Sequence, residues 1–392
     1  LTPLIAGGAA WSIFLWQRNR HLGFFVCIAV LSAACAMIKI NVGAFVALAG
    51  GMWWWFQADW RKISGPRGNM LGLGIAIIIP ALLLHRHLST AWGITFVALV
   101  ATAIGTACWL TTRKPQRNLS PLHLGSAVIA GSITLGGIAL ATIATGSSWG
   151  GLWQGLVAGP LQHADVYSFP PNWRPGTIIL TLLSVSGFVL VEHRRRADGE
   201  FSPVLKTTIL VIRLALIVAF VAWTFSVPSR TVAGVMTVLA GSMGWLLIPL
   251  DSSKNTVTQQ ARLWIGILLG WQFLHAYPVA GTQLTWGTFL WVPLLITALN
   301  ESAQDWQKSA PKNSVIRYAI PGTTALCLGL LVLNPLRAGH FYFSHAPPLN
   351  LPGANLLRIP PHVGSGLRII SANAALHSNL LYSLPGSFSY NL

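Results

Sequence analysis

The chain has 392 residues, 53% of them hydrophobic and 8% charged, with a net charge of +17 and a mean hydropathy of +0.61. Soluble globular domains carry about 25% charged residues, so this composition excludes that class. It also argues against nucleic acid as the partner of the basic charge, because the bases lie in short gaps between apolar runs, where anionic lipid headgroups are the simpler partner.

A helix needs about 20 residues to cross a hydrocarbon core of ~30 Å, and shorter runs are tolerated where flanking groups snorkel. In chain order the apolar segments predict spans over 1–16, 22–38, 42–56, 70–84, 91–110, 122–145, 176–191, 207–227, 231–250, 263–280, 284–299 and 317–334. Residues 22–56 are divided at Lys39, since one helix of that length would measure on the order of 50 Å. A hairpin with Lys39 at its outer tip fits better; the alternative is that Lys39 snorkels from a longer helix. Of the 25 Lys and Arg residues, 17 fall in the first, third, fifth, seventh, ninth and eleventh gaps, and only 7 in the even gaps and the tail. The remaining one, Arg213, lies inside a span near its basic end. Lys and Arg are retained on the cytoplasmic side, so the odd gaps are expected inside and the even ones outside. The 18 Trp residues suit the interfacial belts of such a protein. Cys27, Cys35, Cys108 and Cys327 fall within spans without metal-ligand spacing and read as small core residues.

The outward loop 146–175 and the tail depart from the span pattern. In the loop, Trp149, Leu152, Trp153, Leu156, Val157 and Leu161 share one helical face and predict an interfacial helix on the outer leaflet. Four glycines on its other face lower the intrinsic helix propensity. From residue 335 the chain turns Pro-rich. Short strands are expected at 356–359 and 380–384 around a helix at 365–379, the size of a βαβ unit. The fold class is thus an all-α polytopic membrane protein of about twelve transmembrane helices over 1–334, followed by the start of an extracytoplasmic α/β domain over 335–392. Leu1 opens inside an apolar run and the tail's sheet is unfinished at Leu392, so the chain reads as a fragment of a longer protein.

Of the eight carboxylates, Asp165 is the single one on the outward side. With His163 two residues earlier it forms the candidate catalytic pair, Asp165 as general base and His163 as helper or metal ligand. The alternative is that Asp165 caps a helix or tethers the loop to Arg174. His85-Arg86-His87, at an outward span end, would hold a lipid phosphate through Arg86, or is a snorkelling boundary. His275, Tyr277 and Gln283 flank Pro278 and Gly281 where a span breaks, and would line a polar cavity or mark how that helix ends. No mid-span acid pair, nucleotide motif or internal repeat is present, which disfavours ion-coupled transport.

Three stretches taken in order resemble a known family. MIKINVGAFVALAG at 37–50, SSWGGLWQGLVAGPLQHADVYSFP at 147–170, and LHAYPVAGTQ at 274–283 with LPGANLLRIPP and LLYSLPGSFSY in the tail are similar to bacterial polyprenyl-phosphate-dependent glycosyltransferases of the GT-C type, the group that includes family 39 and the dolichyl-phosphate-mannose mannosyltransferases. The resemblance implies transfer of a sugar from a polyprenyl-phosphate donor to a glycan, lipid or protein acceptor at the outer face of the inner membrane. It implies a donor-phosphate or headgroup contact for Lys39 at the K-x-N step and a role for the loop around His163 and Asp165; Asn41, Arg86 and Arg174 are further candidate lipid-phosphate or donor-binding residues. A divalent cation, Mg or Mn, would help neutralise the leaving phosphate. The family's main carboxylate belongs to a first outward loop not represented by any residue here. The alternative function is a transporter or flippase for a lipid-linked sugar or small solute.

Overall fold

The structure, a computed structural model, describes residues 2–58, 66–112, 119–159, 173–198, 201–224, 228–250, 256–276, 287–309, 316–351, 357–359 and 361–377. The described residues are almost entirely helical. In chain order the helices are α1 Thr2–Gln17, α2 His21–Ile38, α3 Ile40–Gln57, α4 Pro66–Leu83, α5 Ala91–Thr111, α6 Pro121–Ala144 and the short α7 Trp149–Trp153. They continue with α8 Thr177–Asp198, α9 Pro203–Thr224, α10 Pro228–Leu247, α11 Thr256–Gln272, α12 Trp291–Ser309, α13 Ile316–His345 and α14 Pro361–His377. Each of the twelve apolar segments overlaps a helix among the described residues. Five helices, α2, α5, α6, α8 and α9, are long and apolar enough to cross a membrane, and α1, α4, α10 and α13 contain shorter apolar stretches. Large exposed side chains such as Leu122, Ile133, Ile179 and Leu183 make the outer faces of α6 and α8 apolar, as a hydrocarbon surrounding requires.

The division at Lys39 is real and has a steric cause. Lys39 leaves the helical region (φ −154°, ψ 105°), ending α2 and starting α3. The returning helix then passes so close that a Cβ on Gly43 would overlap the backbone of Ser32 and Ala36. Ser32 Oγ donates to the Gly43 carbonyl at 2.7 Å across this crossing. Only a small residue allows such an approach, the device that packs helices inside membranes.

Helices α5 and α11 form the centre: α5 packs on α4, α10 and α11, while α11 packs on α3, α5 and α12. Near the start of α11, Trp16, Phe24, Trp53 and Trp264 meet edge to face, with Trp16–Trp53 centroids 5.2 Å apart. Trp16 Nε1 donates to Gln260 Oε1 and Trp264 Nε1 to Ser12 Oγ, tying α1 to α11. These contacts alternate strictly. The end of α1 meets the start of α11, the α2–α3 tip meets the end of α11, and the starts of α5 and α8 lie together. Each of these contacts joins helix ends that the gap count puts on one side, odd with odd and even with even.

The chain divides into two compact units, Leu1–Phe220 with Ser226–Pro321, and Val221–Phe225 with Gly322–Leu392. In the second unit, α13 continues unbroken past Asn334, the point where the tail was expected to leave helical form. Of the strand expected at 356–359, the described residues 357–359 form an isolated antiparallel bridge between Pro348 and Arg358, with Leu349 N–H donating to Leu357 O at 2.9 Å. Pro347 and Pro348 carry no N–H to donate to a ladder on this side. Helix α14 takes the place of the expected 365–379 helix, beginning four residues earlier; the strand expected at 380–384 lies outside the described residues. No strand occurs among the described residues. The loop helix begins as foreseen with α7, capped by Ser148 Oγ on Gly151 N–H, and widens into a π turn over Gln154–Ala158. Trp149 and Trp153 are 64% and 63% exposed, as an interfacial anchor needs.

Candidate functional site

At the end opposite the base-rich gaps, α11 stops at Gln272 and tightens into a 3-10 turn over Phe273–Ala276. The carbonyl of His275 accepts from Lys39 Nζ at 3.1 Å and from Asn41 Nδ2 at 3.3 Å. Asn41 uses its own Oδ1 to accept Val42 N–H at 3.0 Å, which fixes the amide at the start of α3. The His275 ring is completely buried, with Nδ1 3.4 Å from Gln272 Oε1. The chain entering α12 crosses this turn at Gly287, where a Cβ would overlap the Gln272 carbonyl. Lys39, Asn41 and His275, more than 230 residues apart in sequence, thus form one polar junction. Burial pulls the Lys39 ammonium down from 10.5 to about 8.

Arg86 and Arg174 belong to a second cluster at the same end. Arg86 lies in the 3-10 turn His85–His87, whose His87 ring sits 4.8 Å from Trp92. Trp92 O accepts Trp173 Nε1 at 3.0 Å, bringing the segment of Arg174 to the same wall. Beside it lies a cavity of about 480 Å³ between the first turns of α5 and α8. Among the described residues no hydrogen bond or ring contact joins this cluster to the Lys39 junction. His163, Asp165, Tyr277 and Gln283 lie outside the described residues. Among the described residues no three His, Cys, Asp or Glu side chains gather to hold a metal ion.

The base-rich end holds an arrangement that the sequence reading missed. Arg213, expected near the basic surface, is wholly buried and donates to Trp245 O, Ala298 O, Ile248 O, Ser302 Oγ and Glu301 Oε2. Arg262 pairs with both Glu301 oxygens, at 2.8 and 3.1 Å, and Leu250 N–H donates to Glu301 Oε1. The two guanidiniums reach the final carbonyls of α10, where the helix dipole is negative, and Glu301 cross-links them. The donors point inward, so this is a brace holding α9, α10, α11 and α12. A legible signal existed: Arg213 lies ten residues into α9 and Glu301 eight residues before the end of α12, both near the same end in an alternating bundle.

No family model, curated protein or solved structure matches this chain. The fold and the side-chain geometry therefore carry the class assignment: an all-α protein with apolar helices of membrane-spanning length and a cationic junction at one end of the bundle.

Proposed function

We propose that the protein is a polytopic inner-membrane glycosyltransferase of the GT-C type, moving a sugar from a polyprenyl-phosphate donor to an acceptor at the outer face. In this reading about twelve helices span the bilayer, the base-rich gaps are cytoplasmic, and the tail begins an extracytoplasmic α/β domain. The observation that supports it is the junction of Lys39 and Asn41 with the His275 turn. The two segments were singled out separately for donor contact and for a polar cavity, and they meet. An outward cation at a helix end sits at lipid-phosphate depth.

The donor phosphate binds against Lys39, with Asn41 fixing the hairpin tip. The acceptor oxygen attacks the anomeric carbon as the bond from that carbon to the phosphate oxygen breaks. The acceptor proton passes to a carboxylate, for which Asp165 with His163 is the candidate, and the electron pair leaves on the prenyl phosphate. Lys39 stabilises the charge developing on that leaving group. A divalent cation belongs to the family's chemistry, and no step here is routed through one.

A second reading, a flippase or transporter for a lipid-linked sugar, draws on the break of α11 at Phe273–Ala276, since interrupted helices build substrate sites in transporters. Membranes carrying the protein, supplied with radiolabelled polyprenyl-phosphate sugars, separate the two. Sugar transfer that is lost in Asp165→Asn and weakened in Lys39→Ala is the expected outcome. Movement of label across the bilayer without transfer would replace the enzyme by a transporter.

A further inference from the structure

The cavity between the first turns of α5 and α8 shares no lining residue with the Lys39 junction. Trp92, Trp173, Pro175, Ile178 and Ile179 supply apolar walls. Its polar side chains are mostly committed within the protein. Thr95 Oγ1 donates to Ala91 O at 2.8 Å, Thr177 Oγ1 to Arg174 O at 2.8 Å, and Trp173 Nε1 to Trp92 O at 3.0 Å. Arg174 is the exception: it is exposed at the cavity, and among the described residues its guanidinium makes no hydrogen bond or ion pair.

Two further features select the ligand. The N-termini of α5 and α8, helices of 21 and 22 residues, both open here, and their dipoles add positive potential. Beyond Ile179, the surface of α8 continues with Leu180, Leu182 and Leu183, each more than half exposed, an apolar track leading away from Arg174. We infer that this cavity binds the headgroup of an anionic bilayer phospholipid, with the phosphodiester on Arg174 and the acyl chains along α8. One guanidinium matches one phosphodiester charge. A sugar headgroup would call for hydrogen-bonding side chains, and those of the lining threonines and of Trp173 are already engaged. The site is separate from the Lys39 junction and stands whether or not the protein transfers a sugar.

Native mass spectrometry of the protein, taken from detergent micelles doped with defined lipids, tests this. Wild type is expected to retain phosphatidylglycerol in preference to phosphatidylcholine, and Arg174→Gln to lose about tenfold in that retention, the scale of one charge-assisted hydrogen bond. Arg174→Lys should keep most of the preference, since it keeps the charge. Equal retention of the two lipids by wild type overturns the proposal without any variant. Displacement of phosphatidylglycerol by millimolar inorganic phosphate would make this a free-anion site, and displacement by equimolar prenyl phosphate would make it a donor site; either result overturns it.

Discussion

At the base-rich end of the bundle, Arg213 and Arg262 turn their donors onto Glu301, Ser302 and the last carbonyls of α10; at the opposite end, Lys39 holds the carbonyl of His275 and Arg174 stands exposed beside a cavity. The pairs Arg195–Glu192, Lys206–Asp305, Arg213–Glu301 and Arg262–Glu301 lie at the first end. Arg213 and Arg262 are thus closed off by a carboxylate where the helices are tied together, whereas Lys39 reaches a backbone carbonyl and Arg174 lines a cavity. Charge of one sign does two jobs in this molecule, and the partner decides which. A buried guanidinium needs its carboxylate, because breaking such a pair leaves an uncompensated buried charge.

The sharpest way to break this contrast is to remove the shared acid. Glu301→Gln leaves two buried guanidiniums around a neutral amide, and unpaired buried charge costs about 3–5 kcal/mol. The purified variant should melt or denature far below wild type in the same detergent. Lys206→Ala, at the half-exposed Lys206–Asp305 pair with its 3.8 Å separation, should cost under about 1 kcal/mol in the same assay. Equal losses in the two variants would show that Glu301 is no brace.

Next in size is the hairpin that presents Lys39. Gly43→Val places a branched side chain against the backbone of Ser32 and Ala36, neither of which can yield as a flexible side chain would. Overpacking of this kind costs about 1–3 kcal/mol, and here it should also pull Lys39 off His275. Fluorine or cysteine labels at the α2–α3 tip would report the displacement, while Gly51→Ala, where a Cβ meets open space, should leave it unmoved.

The helices were legible because apolar length is a local property, and the two-ended arrangement because charge parity accumulates over the whole chain. The hairpin at Lys39 was legible for a geometric reason, since 22–56 is too long for one crossing, but its cause, the contact of Gly43 with α2, is not written in either segment alone. Which helices touch was hidden. Arg213 and Glu301 are 88 residues apart, and hydropathy gives depth along a helix but no direction around it. The same holds for His275, whose carbonyl rather than its ring meets Lys39. In the tail the helix was legible from its apolar spacing, whereas strand pairing is not, because prolines such as Pro347 and Pro348 supply no donor and a count of apolar positions does not register that.

The smallest effect is also the most specific to the open end, and it comes from Lys39 itself. Burial lowers its ammonium from 10.5 to about 8, so above pH 8 the folded protein holds fewer protons than the unfolded chain. Stability therefore rises with pH between about 8 and 10.5, and the cost of burying the charge is fully present only below 8. Ligand binding runs the other way, since a phosphodiester keeps its charge over this range and loses its cation as Lys39 deprotonates. Between pH 7 and pH 10, wild type measured against Lys39→Met should gain thermal stability while losing its advantage in binding prenyl phosphate. A parallel fall of stability and binding would place the titration elsewhere, and Lys39 would then be a structural lysine like Lys206.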